Sequence, residues 1–371
     1  MDSSASTPVF CTIVPPHVLD RLARTGDPAL AAAARRTLEH DARERTRRRL
    51  NTVLGPSGPA PAAGAPADHP VRTVYDARHH DTLPGHQVRA EGAAPASDDS
   101  VNRAYDALGA TFDTYLQAYG RHSIDDAGLP LKASVHYLRD YNNAFWDGEQ
   151  MVFGDGDGRI FLDFTLPLDV IGHELTHGVT QYSANLEYHG QPGALNESVS
   201  DVFGSLIKQH ALGQTADQAD WLIGAGLLAP GVNGKALRSM KEPGTAYDDP
   251  QLGKDPQPAS MADYVTTTQD NGGVHLNSGI PNRAFYLTAA ALGGHAWEQA
   301  GRIWYDTLTG GKLSAQSQFA DFAAATAAAA VARYGEGAQS QAVRAAWTEV
   351  GVTPAAAAGL PRQQPGQPQE V

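Results

Sequence analysis

The 371-residue chain is 42% hydrophobic and 19% charged, an ordinary globular composition with enough length for two domains. A formal net charge of −13 argues against a nucleic-acid partner, because phosphate recognition draws on clustered Lys and Arg. Cys11 is the single cysteine, which excludes an intramolecular disulfide, and no apolar run approaches the roughly 18 residues of a membrane-spanning helix.

In chain order, Pro8 to Pro16 reads as a short extended piece, and helix-favouring sequence runs from Val18 to Leu50. No positively charged leader precedes an apolar stretch, so a standard secretory signal is not expected. Arg43, Arg45, Arg47, Arg48 and Arg49 are interleaved with Glu39, Asp41 and Glu44, a pattern that reads as a solvated helix face. The stretch GPSGPAPAAGAPADHP (55–70) reads as an extended, protease-accessible linker, which separates residues 1–54 from the rest. Strand-like runs follow in VRTVYDA, LPGHQVR, ASVHYL and QMVFGDGDGRIFLDF, interrupted by one helix over 100–120. GDGDG (154–158) reads as a Gly-rich hairpin turn rather than a calcium loop.

From Asp169 onward the periodicity is helical, ending in Ala-rich helices around 282–309 and 318–350. Residues 354–371 read as a disordered tail. The pattern predicts an α+β protein of two lobes. A β-rich N-terminal lobe (71–184) would carry the metal helix, a helical lobe (185–353) would follow, and a cleft would lie between them.

The segment DVIGHELTHGVTQYSA (169–184) places His173 and His177 four residues apart. On a helix both imidazoles then project from one face, as two corners of a zinc tetrahedron require. Ile171, Leu175 and Val179 would bury a different face, and Glu174 could reach a metal-bound water without being a ligand. ALNESVSDVFGSLI (194–207) is a second helical pattern, with Leu195, Val199, Val202 and Leu206 directed to a core. Glu197 and Asp201 share one of its faces. Two histidines with a carboxylate at Glu197 leave a fourth position open, as in a catalytic rather than a structural zinc site. Asp201 and Asn196 are candidates to support the ligands from behind, Asp201 by accepting the free ring N–H of a zinc-bound histidine. A helix-terminal Glu197 and a surface Asp201 are the plainer alternative. Within QDNGGVHLNSG (269–279), His275 is either a surface loop residue or an oxyanion donor oriented by Asp270.

HELTH (173–177), ALNESVSD (194–201), YNNAFWDGEQMVFGDGDG (141–158), ALRSM (236–240) and DNGGVHLNSGIPN (270–282) together resemble the thermolysin-like neutral metallopeptidases, from about Val71 to Val352. The resemblance implies a zinc endopeptidase with one zinc on His173, His177 and Glu197 and with Glu174 as general base. It implies Tyr188 and His275 as stabilisers of the tetrahedral intermediate, with Asp270 behind His275. Asn143 and Ala144 become the substrate-holding edge, and Arg238 the group that binds a substrate carbonyl. Val170 and Leu237 become an apolar pocket favouring a hydrophobic residue just after the cleaved bond.

The short N-terminal part, with CTIVPPHVL at 11–19, is similar to the precursor segment of the protealysin-like subgroup, though His17 and Val18 are unusual there. Residues 1–54 are then expected to be a propeptide-like inhibitor, and 55–70 to carry the maturation site. Its stretch from Cys11 to Leu19 would lie extended along the cleft, where Pro15-Pro16 resists cleavage. Cys11 would either pack as a small apolar residue or supply a thiolate to zinc.

Where the family's double-calcium site draws carboxylates, Asp169 and Asp220 remain but Lys208, Leu222 and Ala225 intrude, so that site is expected to be lost. By resemblance the protein acts outside the cell, as a monomer, on polypeptides. The alternatives are a cytoplasmic location, a zinc aminopeptidase, or a catalytically silent binding protein.

Overall fold

The computed structural model describes residues 11–54 and 67–354. Most of the expected linker (55–66), the start of the extended piece and the tail beyond Pro354 lie outside the described residues.

The N-terminal segment folds as α1 (Pro16–Leu22) and α2 (Pro28–Leu54) rather than one helix. The break follows local chemistry: Asp27 Oδ1 accepts the N–H groups of Ala29 and Leu30, and Pro28 occupies the first helical position. Proline at the start of α1 also ends the extended stretch at Pro15, earlier than the Leu19 expected from sequence. The basic face is only half solvated. Arg43 and Arg47 are exposed, but Asp41 and Glu44 are buried against the catalytic part.

The first lobe contains β1 (Arg72–Asp76), β2 (His86–Ala90), α3 (Asp99–Tyr119), β3 (Leu131–Val135), β4 (Ala144–Trp146) and β5 (Met151–Phe153). Its five strands form one mixed sheet in the order β2-β1-β3-β5-β4, which leaves β4 at an edge. Residues 154–158 form no hairpin. The turn between β4 and β5 lies at 147–150, and Asp157 Oδ1 instead accepts the N–H groups of Arg159, Ile160 and Phe161. Two helices follow, α4 (Leu168–Gln181) and α5 (Gly190–Leu212), and then the short strand pairs β6 (Leu222–Ile223) with β7 (Arg238–Ser239) and β8 (Asp248–Asp249) with β9 (Gly253–Lys254). The helical lobe closes with α6 (Asp270–Asn277), α7 (Gly279–Leu292), α8 (Ala300–Thr309), α9 (Phe319–Tyr334) and α10 (Ala338–Glu349). The two long Ala-rich helices expected from sequence are each cut in two, near Gly293-Gly294 and at Gly335.

One hydrophobic core runs through both lobes and the N-terminal segment, and includes Leu19, Val74, Ile171, Leu206 and Trp304. A second cluster of Ala77, Tyr137, Tyr141, Phe145 and Val152 carries His40 of α2 edge-on against Tyr137 and Tyr141. No helix among the described residues is long and apolar enough to cross a membrane.

His136 ties the sheet to two neighbours, with its ring nitrogens 2.8 Å from Asp155 Oδ1 and from Asp98 Oδ2. The Asp155 hydrogen bond, opposed by burial and reinforced by Asp98, lifts its pKa from the ordinary 6.5 to about 9. A raised histidine contributes stability that is complete below 6.5 and lost as pH climbs through about 9. The melting temperature is therefore expected to fall more steeply from neutral to alkaline pH in the parent than in His136→Asn. Parallel slopes would remove the clamp as the cause.

Candidate active site

The site is built where α4 crosses α5. A Cβ on Gly204 would stand 2.5 Å from the carbonyl oxygen of Asp169 and 3.0 Å from the His173 nitrogen. The missing side chains of Gly172 and Gly204 let the two backbones touch, which brings the histidine face of α4 against the carboxylate face of α5. Ile171, Leu175 and Val179 on one helix, with Leu195, Val199, Val202 and Leu206 on the other, are buried as their spacing predicts.

His173 and His177 present their Nε2 atoms to each other at 3.1 Å. Each Nδ1 is engaged elsewhere, His173 with Asp201 Oδ1 at 2.7 Å and His177 with Asn196 Oδ1 at 2.8 Å. Since both acceptors lack a proton to give, both Nδ1 atoms carry the hydrogen, and the two Nε2 lone pairs face one another. Burial also holds His177 in its neutral form, with its pKa pushed down to about 3. Glu197 lies alongside, its Oε2 buried and without a hydrogen-bond partner among the described residues. Two opposed lone pairs and an orphaned carboxylate oxygen are a repulsive set without a cation and a three-donor set with one. The residues therefore fit zinc.

Asp201 and Arg238 complete the support. Arg238 on β7 donates two hydrogen bonds to Asp201, each 2.8 Å, and Asn282 on α7 donates a third at 2.8 Å. Burial opposes ionisation of Asp201, but the Arg238 charge and His173 outweigh it and hold the carboxyl below its usual range.

Glu174 is buried beside this set and accepts the N–H of Trp146 at 3.2 Å, a contact with no side-chain signature in the sequence. His275 is not on a loop. It lies on α6, whose first turn passes through left-handed Asn271, Gly272 and Gly273 before turning helical, and this swings the imidazole into the cleft. Asp270 Oδ1 meets its Nδ1 at 2.6 Å and Asp270 Oδ2 accepts its backbone N–H at 2.9 Å. Tyr188 donates to Glu197 Oε1 and lies 3.3 Å from His275 Nε2.

The N-terminal segment runs through this cleft. Thr12 pairs antiparallel with Phe145 at the edge strand β4, and Ile13 N–H donates to the Ala144 carbonyl at 3.2 Å. Asn143 accepts the Val14 N–H at 2.9 Å, while its own amide donates to the buried Asp41 of α2 at 3.0 Å. Burial raises Asp41 to about 7. Val170 and Leu237 are buried in the same core cluster as Ile13 and Val14. Cys11 Sγ stands 2.8 Å from Glu197 Oε1, and the potential ligand atoms of Cys11, His173, His177 and Glu197 all lie within 4.8 Å of one another. Asp41, Trp146 and Asn282 are the site residues that sequence reading missed.

The family model for the catalytic domain of thermolysin metallopeptidases matches residues 67–181, and the model for their α-helical domain matches residues 184–352. The chain belongs to the thermolysin metallopeptidase family. It is 52% identical over 343 residues to an extracellular metalloprotease of Pectobacterium carotovorum subsp. carotovorum, covering 92% of this chain and 96% of that protein. It is 40% identical over 295 residues to a thermolysin of Alicyclobacillus acidocaldarius, covering 75% of this chain and 50% of that protein. The solved precursor of protealysin, a metalloproteinase from Serratia proteamaculans, is 53% identical with a TM-score of 0.82, covering 92% of this chain and all of that one. The chain is thus a metalloendopeptidase of protealysin-like type, with a mixed-sheet N-terminal part and a helical C-terminal part. Neither an aminopeptidase nor a silent binding protein is favoured.

Proposed function

We propose that the chain is a latent zinc endopeptidase that cleaves on the amino side of hydrophobic residues, with its own residues 1–54 as the inhibitor. The observation that carries this reading is the convergence of His173, His177 and Glu197 at one end of an apolar cleft already filled by a strand of the same chain. Held by those three residues, zinc would supply a Lewis acid that polarises the scissile carbonyl and acidifies a water.

The protein's own groups would do the rest. Glu174, oriented by the Trp146 N–H, takes a proton from the attacking water and delivers it to the leaving nitrogen. His275 and Tyr188 donate to the developing oxyanion, and Asp270 holds the His275 ring in place. Asp201 and Asn196 fix the histidine tautomers. Asn143, Ala144 and Arg238 grip the substrate backbone, and Val170 and Leu237 line the pocket for the residue after the cut. The Cys11 thiolate is proposed as the fourth zinc ligand in the latent chain, excluding the water. Released into an extracellular setting like that of its named relatives, the enzyme would work as a monomer on polypeptides.

The test is to let the full chain mature and digest casein, then map the new N-termini by mass spectrometry. Internal cuts just before Leu, Ile, Val and Phe are expected. Stepwise loss of single residues from substrate N-termini would mark an aminopeptidase. Full-rate hydrolysis by the uncleaved chain would overturn latency.

We also propose that a lysine has replaced calcium. Lys208 Nζ lies 2.9 Å from Asp169 Oδ2, 2.9 Å from Asp220 Oδ1 and 3.2 Å from the Leu222 carbonyl. An ammonium supplied by the chain neutralises the acids that remain, and too few oxygens are left for a hard cation. Millimolar calcium is expected to leave the melting temperature nearly unchanged. A large rise would mean that a calcium site persists.

A further inference from the structure

We propose that residues 11–14 are an arrested substrate of this site, with Thr12–Ile13 as the peptide bond at the reacting position. The inference rests on the endopeptidase reading above and deepens it, because it gives the register of a bound chain and the side chains the site selects.

The backbone contacts leave little freedom in that register. Thr12 pairs with Phe145 and Ile13 N–H donates to Ala144, which aligns the strand antiparallel to the sheet edge. Val14 N–H donates to Asn143 Oδ1 at 2.9 Å, and Arg238 Nη1 donates to the Ile13 carbonyl at 3.0 Å. The Thr12 carbonyl is thereby left facing the chemistry. It lies 3.1 Å from His275 Nε2 and 3.7 Å from Cys11 Sγ, which is itself among the potential ligand atoms. The next atom in the chain after that carbonyl is the Ile13 nitrogen. Thr12 thus stands on the acyl side of the bond, and Ile13 and Val14 stand on the leaving side.

The side chains agree with this placement. Ile13 and Val14 are fully buried in the cluster that contains Val170 and Leu237. The site therefore takes an apolar residue immediately after the cut and a second one next to it, as the burial of Ile13 and Val14 shows. A proline is accepted in the third place, where the strand leaves the edge at Pro15.

The two prolines do not protect this bond, because they lie beyond it. Cys11 protects it. Its sulfur sits between Glu197 Oε1 at 2.8 Å and the Tyr188 hydroxyl at 2.9 Å, in space the attacking water needs. Without the thiol, one water is consumed. Its oxygen bonds to the Thr12 carbonyl carbon, the bond to the Ile13 nitrogen breaks, and the proton taken by Glu174 passes to that nitrogen. The water's second proton ends on the same nitrogen, and the products are a Thr12 carboxylate and an Ile13 ammonium.

The experiment uses the zinc-loaded full chain carrying Cys11→Ala or Cys11→Ser, analysed by intact mass and N-terminal sequencing. A new N-terminus at Ile13 is expected, in the chain or in its released N-terminal fragment, while the parent keeps this bond over the same period. Adding Glu174→Gln should abolish the cut. Ile13→Asp in the Cys11→Ala chain should abolish it too, since a charge does not enter an apolar pocket.

A second measurement needs no turnover. In the Glu174→Gln chain, with and without zinc, iodoacetamide labelling of the buried Cys11 should be slow. Ile13→Asp should speed it by about tenfold or more, because an unpaired charge in that pocket undocks the strand. Unchanged labelling would show that Ile13 is not the anchor. If the Cys11 variants hydrolyse casein but leave Thr12–Ile13 intact, or cut the strand at another bond, the inference is overturned and the endopeptidase reading stands. If they do neither while the matured parent digests casein, the strand blocks the cleft by shape, so the inference falls and the endopeptidase reading stands.

Discussion

Glu174→Gln is expected to leave zinc bound and the fold intact while lowering turnover by about 10²–10⁴, the usual contribution of a positioned general base. The amide is nearly isosteric with the carboxylate and can still accept the Trp146 N–H, now at 3.2 Å, so the packing of α4 has no reason to change. What it loses is the ability to take a proton from water and pass it to the leaving nitrogen. His275→Ala removes an oxyanion donor instead, and should cost about 10²–10³ in turnover with little change in substrate affinity. Turnover on a casein-type substrate, with zinc content from elemental analysis, separates the two effects. Near-normal turnover in Glu174→Gln would mean that another group activates the water.

Removing the metal is expected to abolish hydrolysis and to destabilise the fold together. The Nε2 atoms of His173 and His177 face each other at 3.1 Å while each Nδ1 has an acceptor, so in the neutral rings two lone pairs are opposed. A cation turns this repulsion into attraction, and a ligand bound only by the folded state adds about 4 kcal/mol at a thousandfold excess over its Kd. Dialysis against a chelator should therefore lower the melting temperature as well as stop casein hydrolysis, and added zinc should restore both. Full activity after exhaustive removal, verified by elemental analysis, would overturn the mechanism.

The zinc residues were legible because their chemistry is local: a spacing of four on a helix is a geometric statement in itself. Asp201 was legible for the same reason. The crossing that brings the two helices together rests on Gly172 and Gly204, and a glycine inside a helix does not announce what touches it. His275 was found as a residue but misplaced as a structure, because consecutive left-handed residues followed by helix look like an ordinary Gly-rich loop. Asp41 was read as solvated because charge alternation cannot tell which acid of a helix will meet a buried amide such as Asn143. The contacts of Thr12, Ile13 and Val14 are made by backbone, which every sequence offers equally.

The edge strand β4 has a consequence for which proteins can be digested. On the proposed register, a chain that enters the cleft presents several consecutive residues as an added strand, with their amides free to pair with Ala144 and Asn143, as residues 12–14 do. Amides in a folded protein are already paired within it, so a target segment must first open. When opening and closing are fast relative to the cut, the rate follows the open population, about tenfold less for each 1.4 kcal/mol of local stability. The enzyme would then act as a gauge of unfolding in its targets. Termini, frayed loops and thermally loosened domains would be cut first, and compact neighbours bearing the same sequence would be spared.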